Sequence, residues 1–556
     1  MGTNTVVTST CLRYIVPFTY TGDFNEICSL VDNQSALKEG KKEQYRKLWK
    51  RTTVSSMKAE SELYDFIREE FLFADDKRPL SDTKMGGRWM YWNSKELGTG
   101  SQAIEELAFI KPSVLKDWEN KSKEEQISVF TSALRLRITN LGLFLFRNNL
   151  GMIWYELEPD KKPFSSALLV NVQNQIKELN RRNAVYLWRC GKGTPPAYSV
   201  IYEEITPEIK HFCTPFSLGH WLTGKIGFLH KNYLVEKKTA LPSLIKSYNR
   251  FLQKCKCANP EFSPEAQVPQ WDCVVPDKSI LFTFCTLFDM PSRNPSSSNN
   301  DSWEARHKLA YNLTNAYNDS YDCSPDTFKT MRHPFKDAIW FATKEGAGYY
   351  KWPNDSNKMT FERVIRIKVA TDYFAMFIKA LYQSYTMMLL AKQIQDEIPA
   401  ESFEKMSDTG YKEISRKYEE VNHFLTKSVV TSVSHIHHQG DFYQYIKKQL
   451  RIDEDARSVS AGLDALSALQ KEKKDEEEKQ RDENMQNVMG MISLLAIASA
   501  FVDSFDFVAK FSGNTEGGWS DLASSPAIML TEIILCILIF IISGYAIYYV
   551  YRNKKR

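Results

Sequence analysis

Two apolar runs dominate the hydropathy pattern, and both lie beyond residue 487. Val488 to Val502 (VMGMISLLAIASAFV) is broken only by the hydroxyls of Ser493 and Ser499. Ala527 to Tyr551 is a second run with one charge, Glu532, near its start. At about 1.5 Å per residue the second run is long enough to cross a hydrocarbon core of about 30 Å. Its tyrosines Tyr545, Tyr548, Tyr549 and Tyr551 sit at the basic tail Arg552, Lys554, Lys555 and Arg556, as an interfacial belt does. The first run reaches only about 22 Å as a helix. To span, it must continue through Asp503 and Asp506, and carboxylates at that depth must face water or protein. Otherwise it lies in the interface as an amphipathic helix. Basic residues precede the first run (Lys471, Lys473, Lys474, Lys479, Arg481) and follow the second, with only Lys510 between. This bias favours two spans, a short outer loop and both termini cytoplasmic.

Upstream, residues 1–360 read as mixed α/β. Apolar and β-branched runs predict strands at Leu12–Tyr20, Arg88–Trp92, Gly142–Arg147, Gly151–Leu157, Ala184–Arg189, Ser199–Tyr202, Ile280–Leu287 and Ala338–Thr343. The sharpest hairpin signal is LGLFLFRNNLGMIWYEL, two apolar runs around Asn148-Asn149. Helices are predicted over Lys41–Phe73, Lys123–Arg137, Ala167–Arg182 and Leu241–Cys255. Pro291–Ser302 reads as a loop by composition.

From about Phe361 the pattern turns helical. Arg363 to Pro399 carries Tyr373, Phe377, Leu381, Tyr385 and Met388 at spacings of three and four. Pro399 and Ser402 mark a break and a new cap. Phe403–Leu450 reads as a second helical segment, interrupted at Gln439-Gly440. A third begins near Asp453 with the stripe Ala456, Val459, Leu463, Leu466 and Leu469. The mixed-charge run KEKKDEEEKQRDE then leads straight into the first apolar run. One helix from Asp453 to Phe507 would be about 80 Å long. The chain thus divides into an α/β domain (1–360), long antiparallel helices and a stalk (361–484) and a two-helix membrane domain (485–556).

Composition narrows the chemistry. Mean hydropathy is −0.40, so the membrane part is a small share of the chain. A net charge of +4 over 556 residues gives no reason to expect direct nucleic-acid binding. Met1–Cys11 lacks the apolar core of a signal peptide, so the ten cysteines are expected as reduced thiols. His435, His437 and His438 lack neighbouring ligands and read as surface histidines rather than a metal site. Cys255, Cys257 and Cys273 lack zinc-site spacing. No nucleophile elbow, HExxH or dinucleotide fingerprint is present, so no enzyme is expected. Two turns combine cations with glycine. Arg181-Arg182 and Arg189-Cys190-Gly191-Lys192-Gly193 flank a strand, and Met85-Gly86-Gly87-Arg88-Trp89 offers an arginine beside a tryptophan. Either could hold a phosphate or stack a base. Either also serves as a plain turn into a core strand.

An α/β domain, long helices, a stalk, two membrane runs and a basic tail resemble the layout of the CorA family of metal-ion transporters. The resemblance is carried by residues 361–556. The family signature Gly-Met-Asn after the first membrane helix is reduced here to Gly513-Asn514. The large N-terminal part and degraded signature are most similar to the CorA-like membrane effectors associated with type III CRISPR systems. The resemblance implies a homo-oligomer, a pentamer in that family, in the cell inner membrane. It implies an antiviral ion channel opened by a nucleotide second messenger, either a cyclic oligoadenylate or an adenosylmethionine–AMP conjugate. On that reading Ser493, Ala496, Ala500 and Asp503, which share one helix face, line the pore. Asp506, Glu516 and Asp521 join Asp503 at the outer mouth, where a ring of carboxylates concentrates cations. The ligand contacts would come from Arg88, Trp89, Arg181, Arg182, Arg189 and Lys192. A divalent-cation transporter and a membrane-anchored scaffold without a pore are the rival readings.

Overall fold

The strands at the centre of the sheet are buried on both faces, and their sequences show it. β1 (Thr5–Thr19), for example, reads CLRYIVPF with hardly a polar break. Strands covered on both sides need no alternation and read as near-continuous apolar runs. The structure, a computed structural model, describes residues 5–511 apart from 38–44, 55–61, 92–102, 112–119, 178–185, 193–199, 204–209, 227–277, 290–298, 354–358, 398–415, 427–431 and some shorter stretches; beyond 511 it describes only Ile534, Ile537 and Ile541.

In chain order, β1 is followed by α1 (Phe24–Asp32), β2 (Ser35–Leu37), β3 (Tyr45–Lys47), β4 (Trp49–Arg51), α2 (Asp65–Arg68), β5 (Gly86–Tyr91), β6 (Glu105–Phe109), β7 (Leu134–Phe146), β8 (Leu150–Pro159), β9 (Phe164–Ser165) and α3 (Ser166–Ile176). Then come β10 (Leu187–Lys192), β11 (Val200–Glu203), β12 (Lys210–Pro215), α4 (Leu218–Ile226), β13 (Ile280–Asp289), α5 (Asn299–Asn315), α6 (Pro325–Thr330), β14 (Ala338–Thr343) and β15 (Gly346–Lys351). The helical part comprises α7 (Met359–Lys368), a π-turn (Val369–Tyr373), α8 (Phe374–Glu397), α9 (His437–Gln449) and α10 (Ile452–Phe511).

The main sheet runs β11-β12-β10-β6-β7-β8-β1-β13-β15-β14, with β4-β5 joining the far half of β7. Every pairing in it is antiparallel except β13 with β15. The Asn148-Asn149 hairpin forms as the sequence predicts, with Asn149 at φ 62. One face of the sheet packs Tyr14, Leu143 and Tyr155 against α1, α3, α4 and α5 through Phe24, Leu169, Leu222 and Leu313. The other face receives the later helices. Phe374 meets Trp154 at 5.1 Å and Phe282 at 5.4 Å, Tyr382 stacks on Phe146 at 4.4 Å, and Phe442 meets Trp340 at 5.1 Å. The compact unit accordingly does not stop near residue 360 but takes in 1–395 and 421–459; the second unit comprises 396–420 and 460–556.

Several expectations are corrected. Lys41–Phe73 is not one helix. Trp49 is buried in the core, and β4 pairs with β5, which overrides local helix propensity. Leu134–Arg137 opens β7 rather than closing a helix. Asn299–Ser302 begins α5 rather than extending a loop. The break before α9 falls at Ser432–Ile436, where Ser434 bridges to Leu63, and Gly440 is helical. Leu241–Cys255 lies outside the described residues.

Candidate functional site

The residues singled out by sequence fall on the long helix and on the sheet. α10 is a single helix of 60 residues, from Ile452 to Phe511, as the unbroken charge run predicts. Arg451, at φ 58, separates it from α9 and its C-cap Leu450. Ala456, Val459 and Leu463 of the predicted stripe are buried; the side chains of Leu466 and Leu469 are outside the described set. The charged run is exposed, and so are most of the described apolar residues after it, with Leu494 half-buried. Met485, Val488, Met489, Met491, Ile492 and Ile497 are each more than half exposed. At about 100° per residue, 485, 488, 489 and 492 form one stripe, while 491 and 497 fall well off it. Apolar side chains are therefore exposed on more than one face of the helix instead of marking one seam.

Among the described residues no helix is long and apolar enough to cross a membrane. The first apolar run is short, as its length in sequence already implies. Of the second, only Ile534, Ile537 and Ile541 are described, all helical and exposed. Ser493 and Ala496 are exposed on α10. Ala500, Asp503 and Asp506 belong to the same helix, with side chains outside the described set. Gly513, Asn514, Glu516 and Asp521 lie outside the described residues, as do Arg181 and Arg182.

On the sheet, Arg88 and Trp89 do not form a clamp, because successive strand residues point to opposite faces. Trp89 is fully buried against Phe73, and its indole N–H donates to Asp32 at 2.9 Å. Arg88 turns to the other face, over Phe144 at 5.5 Å and Trp154 at 5.9 Å. Its Nε–H is sealed from water without an acceptor. Burial, then the charge of Arg13, pushes its pKa down to about 10. Arg189 is engaged elsewhere. Its Nη2 donates to Glu105 at 3.2 Å, its Nε lies 2.9 Å from the other carboxylate oxygen without hydrogen-bond geometry, and the guanidinium sits over the Phe216 ring at 5.0 Å, while Trp221 donates to the same carboxylate at 3.0 Å. Lys192 ends β10 opposite His211. The structure thus places Arg88 on β5 and Arg189 on β10, each with its own set of contacts.

The sequence reading passed over a polar line on the Arg88 face. Arg13 donates twice to Glu156, and Asn140 donates to the same carboxylate oxygen at 3.1 Å. Arg13 also donates to the Ala370 carbonyl at 2.5 Å, inside the π-turn. Burial alone would raise Glu156, but the Arg13 charge and the hydrogen bonds from Arg13 and Asn140 hold it below the usual carboxylate range. π-turns recur at functional positions, and here one carbonyl is spent on a buried guanidinium. The available signal was a charge within each of two strands buried on both faces, CLRYIVPF and MIWYELEP. Among the described residues no group of three or more His, Cys, Asp or Glu side chains is arranged to hold a metal. His437 instead pairs with Asp441 at 3.2 Å, and His438 stacks on Tyr373.

No protein-family model matches the chain, and no curated protein matches it in sequence.

Proposed function

We propose that this chain is a CorA-like, ligand-gated ion channel of the cell membrane rather than an enzyme, assembled as a homo-oligomeric ring, with an antiviral role and a nucleotide second messenger as its opening signal. The carrying observation is α10. It passes without interruption from a water-facing charged run to a segment whose described apolar side chains, from Met485 to Ile497, are exposed on more than one face. A helix apolar all round is stable only inside a larger core, against copies of itself or in lipid. The second apolar run and the flanking basic residues favour lipid. In a ring, Ser493, Ala496, Ala500 and Asp503 would face the shared axis. The carboxylates beyond would then face water, which removes the main cost of extending the helix past Val502. The sheet domain, which precedes this helix in the chain, supplies the regulated part.

The test is ion flux through purified protein in liposomes. Cation flux is expected to rise when a nucleotide is added. Asp503→Asn is expected to lower conductance or the cation/anion ratio while the oligomer stays intact, because a wet pore residue contributes little to packing. Flux that follows internal magnesium instead of a nucleotide marks a divalent-cation transporter. Absence of flux from an intact oligomer marks a membrane-anchored scaffold, and either result overturns the proposal.

A further inference from the structure

A cavity of about 620 Å³ opens between the segment after α6, strand β14 and helix α9. Its volume lies in the range of small-molecule sites. Four lining residues, Asp441, Gln444, Tyr445 and Lys448, follow one another at i, i+3, i+4 and i+7. That spacing makes one stripe of α9. The stripe carries a carboxylate, an amide, a phenol and an ammonium group. Phe442, Tyr443 and Ile446 are buried instead, so the helix turns polar chemistry toward a concave space.

Two features of the cavity ask for a ligand. Arg332 and Lys448 are exposed, and neither has a carboxylate partner among the described residues. Arg332 is held in place by its backbone, which exchanges hydrogen bonds with Trp340 at 3.0 and 2.8 Å. Trp340, 3% exposed, forms part of the cavity wall. Tyr445 completes an aromatic wall, and its hydroxyl is fixed by the Ala342 N–H at 3.2 Å.

We infer that this cavity is the regulatory ligand site, and that it takes a phosphorylated, ring-bearing molecule of nucleotide size. The inference rests on the ligand-gated reading above. Arg332 and Lys448 pair with the phosphates, and the planar guanidinium also stacks on a flat ring. Asp441 and Gln444 meet the hydroxyl or amino groups of the sugar or base. Lys448 stands three residues before Arg451, the left-handed residue after which α10 begins. A ligand that draws Lys448 and Arg332 together therefore acts on the turn that sets the start of the long helix.

The experiment uses the full-length protein in detergent micelles and mant-ATP as the probe, followed by fluorescence anisotropy. Saturable binding is expected, weakened at least tenfold in the double variant Arg332→Gln/Lys448→Gln. Both side chains are exposed, so the variant is expected to melt at the wild-type temperature. Inorganic pyrophosphate is expected to compete more weakly than ATP. Absence of saturable binding up to millimolar probe, or unchanged affinity in a folded double variant, overturns the site. Failure of the channel reading looks different: mant-ATP binds as described, but no ion flux results.

Discussion

Arg13 and Glu156 form a two-pronged ion pair in the middle of the sheet, with Nε and Nη2 each 3.0 Å from one carboxylate oxygen and both side chains less than a tenth exposed. The pair joins β1 to β8 and, through the Ala370 carbonyl, to the π-turn before α8. Breaking such a pair strands a buried charge. Glu156→Gln is expected to cost about 3–5 kcal/mol. Replacing both partners by Met and Leu is expected to cost far less. Urea denaturation of the two variants checks the difference; equal losses would contradict the pair's role.

The same pair sets an acid limit. Glu156 has a folded-state pKa held below its unfolded value, so its contribution is present above the ordinary glutamate value of about 4.3 and is lost as pH falls through the lower folded value. Wild-type stability is therefore expected to fall across that acidic window. The Arg13→Met/Glu156→Leu variant is expected to fall less steeply. Melting temperature against pH measures it.

Among the described residues Arg88 is a cation with no carboxylate partner: its Nη2 donates only to the Met90 Sδ at 3.7 Å, its Nε–H has no acceptor, and its neighbour Arg13 repels it. Arg88→Met keeps the stem against Phe144 and Trp154 and removes the charge. The melting temperature is expected to hold or rise. A fall of several degrees in calorimetry would show that Arg88 has a stabilising role that its contacts do not account for.

Gly142 stands where a Cβ would overlap the Trp154 indole. That ring is trapped between the Arg13 guanidinium at 4.6 Å and Phe374 at 5.1 Å and cannot yield. Gly142→Ala is expected to cost about 1–3 kcal/mol. Gly440→Ala, in α9 with nothing near the added methyl, is expected to stabilise by about 0.5–1 kcal/mol. Opposite signs in denaturant titration are the expected result.

Cys190 faces Cys213 across β10 and β12, with Sγ–Sγ at 3.6 Å. The hydrogen bond from Cys213, against the opposing effect of burial, and the nearby Arg135 guanidinium hold the Cys190 thiol below its usual pKa, whereas burial pushes Cys11 and Cys28 up to about 12. Iodoacetamide at neutral pH is expected to modify Cys190 before Cys11, Cys28 and Cys213, and Arg135→Met is expected to slow it. Peptide mass mapping over time checks the order.

The sequence by itself determined the elements whose signal is local. The β7–β8 hairpin shows in its apolar runs and paired asparagines, the Ala338–Thr343 strand in its unbroken apolar residues, and α10 in an unbroken helix-forming stretch. Only the tertiary structure decided what depends on distant partners. β6 and the glycine-rich β15 have weak strand propensity of their own and form because β7, β10 and β13 offer open edges. Trp49 turned a predicted helix into a strand because its burial outweighs propensity. The sites divide in the same way. The all-round apolar end of α10 is written in consecutive residues. Arg13 and Glu156 are 143 positions apart, and Arg332 and Lys448 belong to different elements on one cavity. No window of sequence contains such pairs, because packing of the helices on the sheet brings them together.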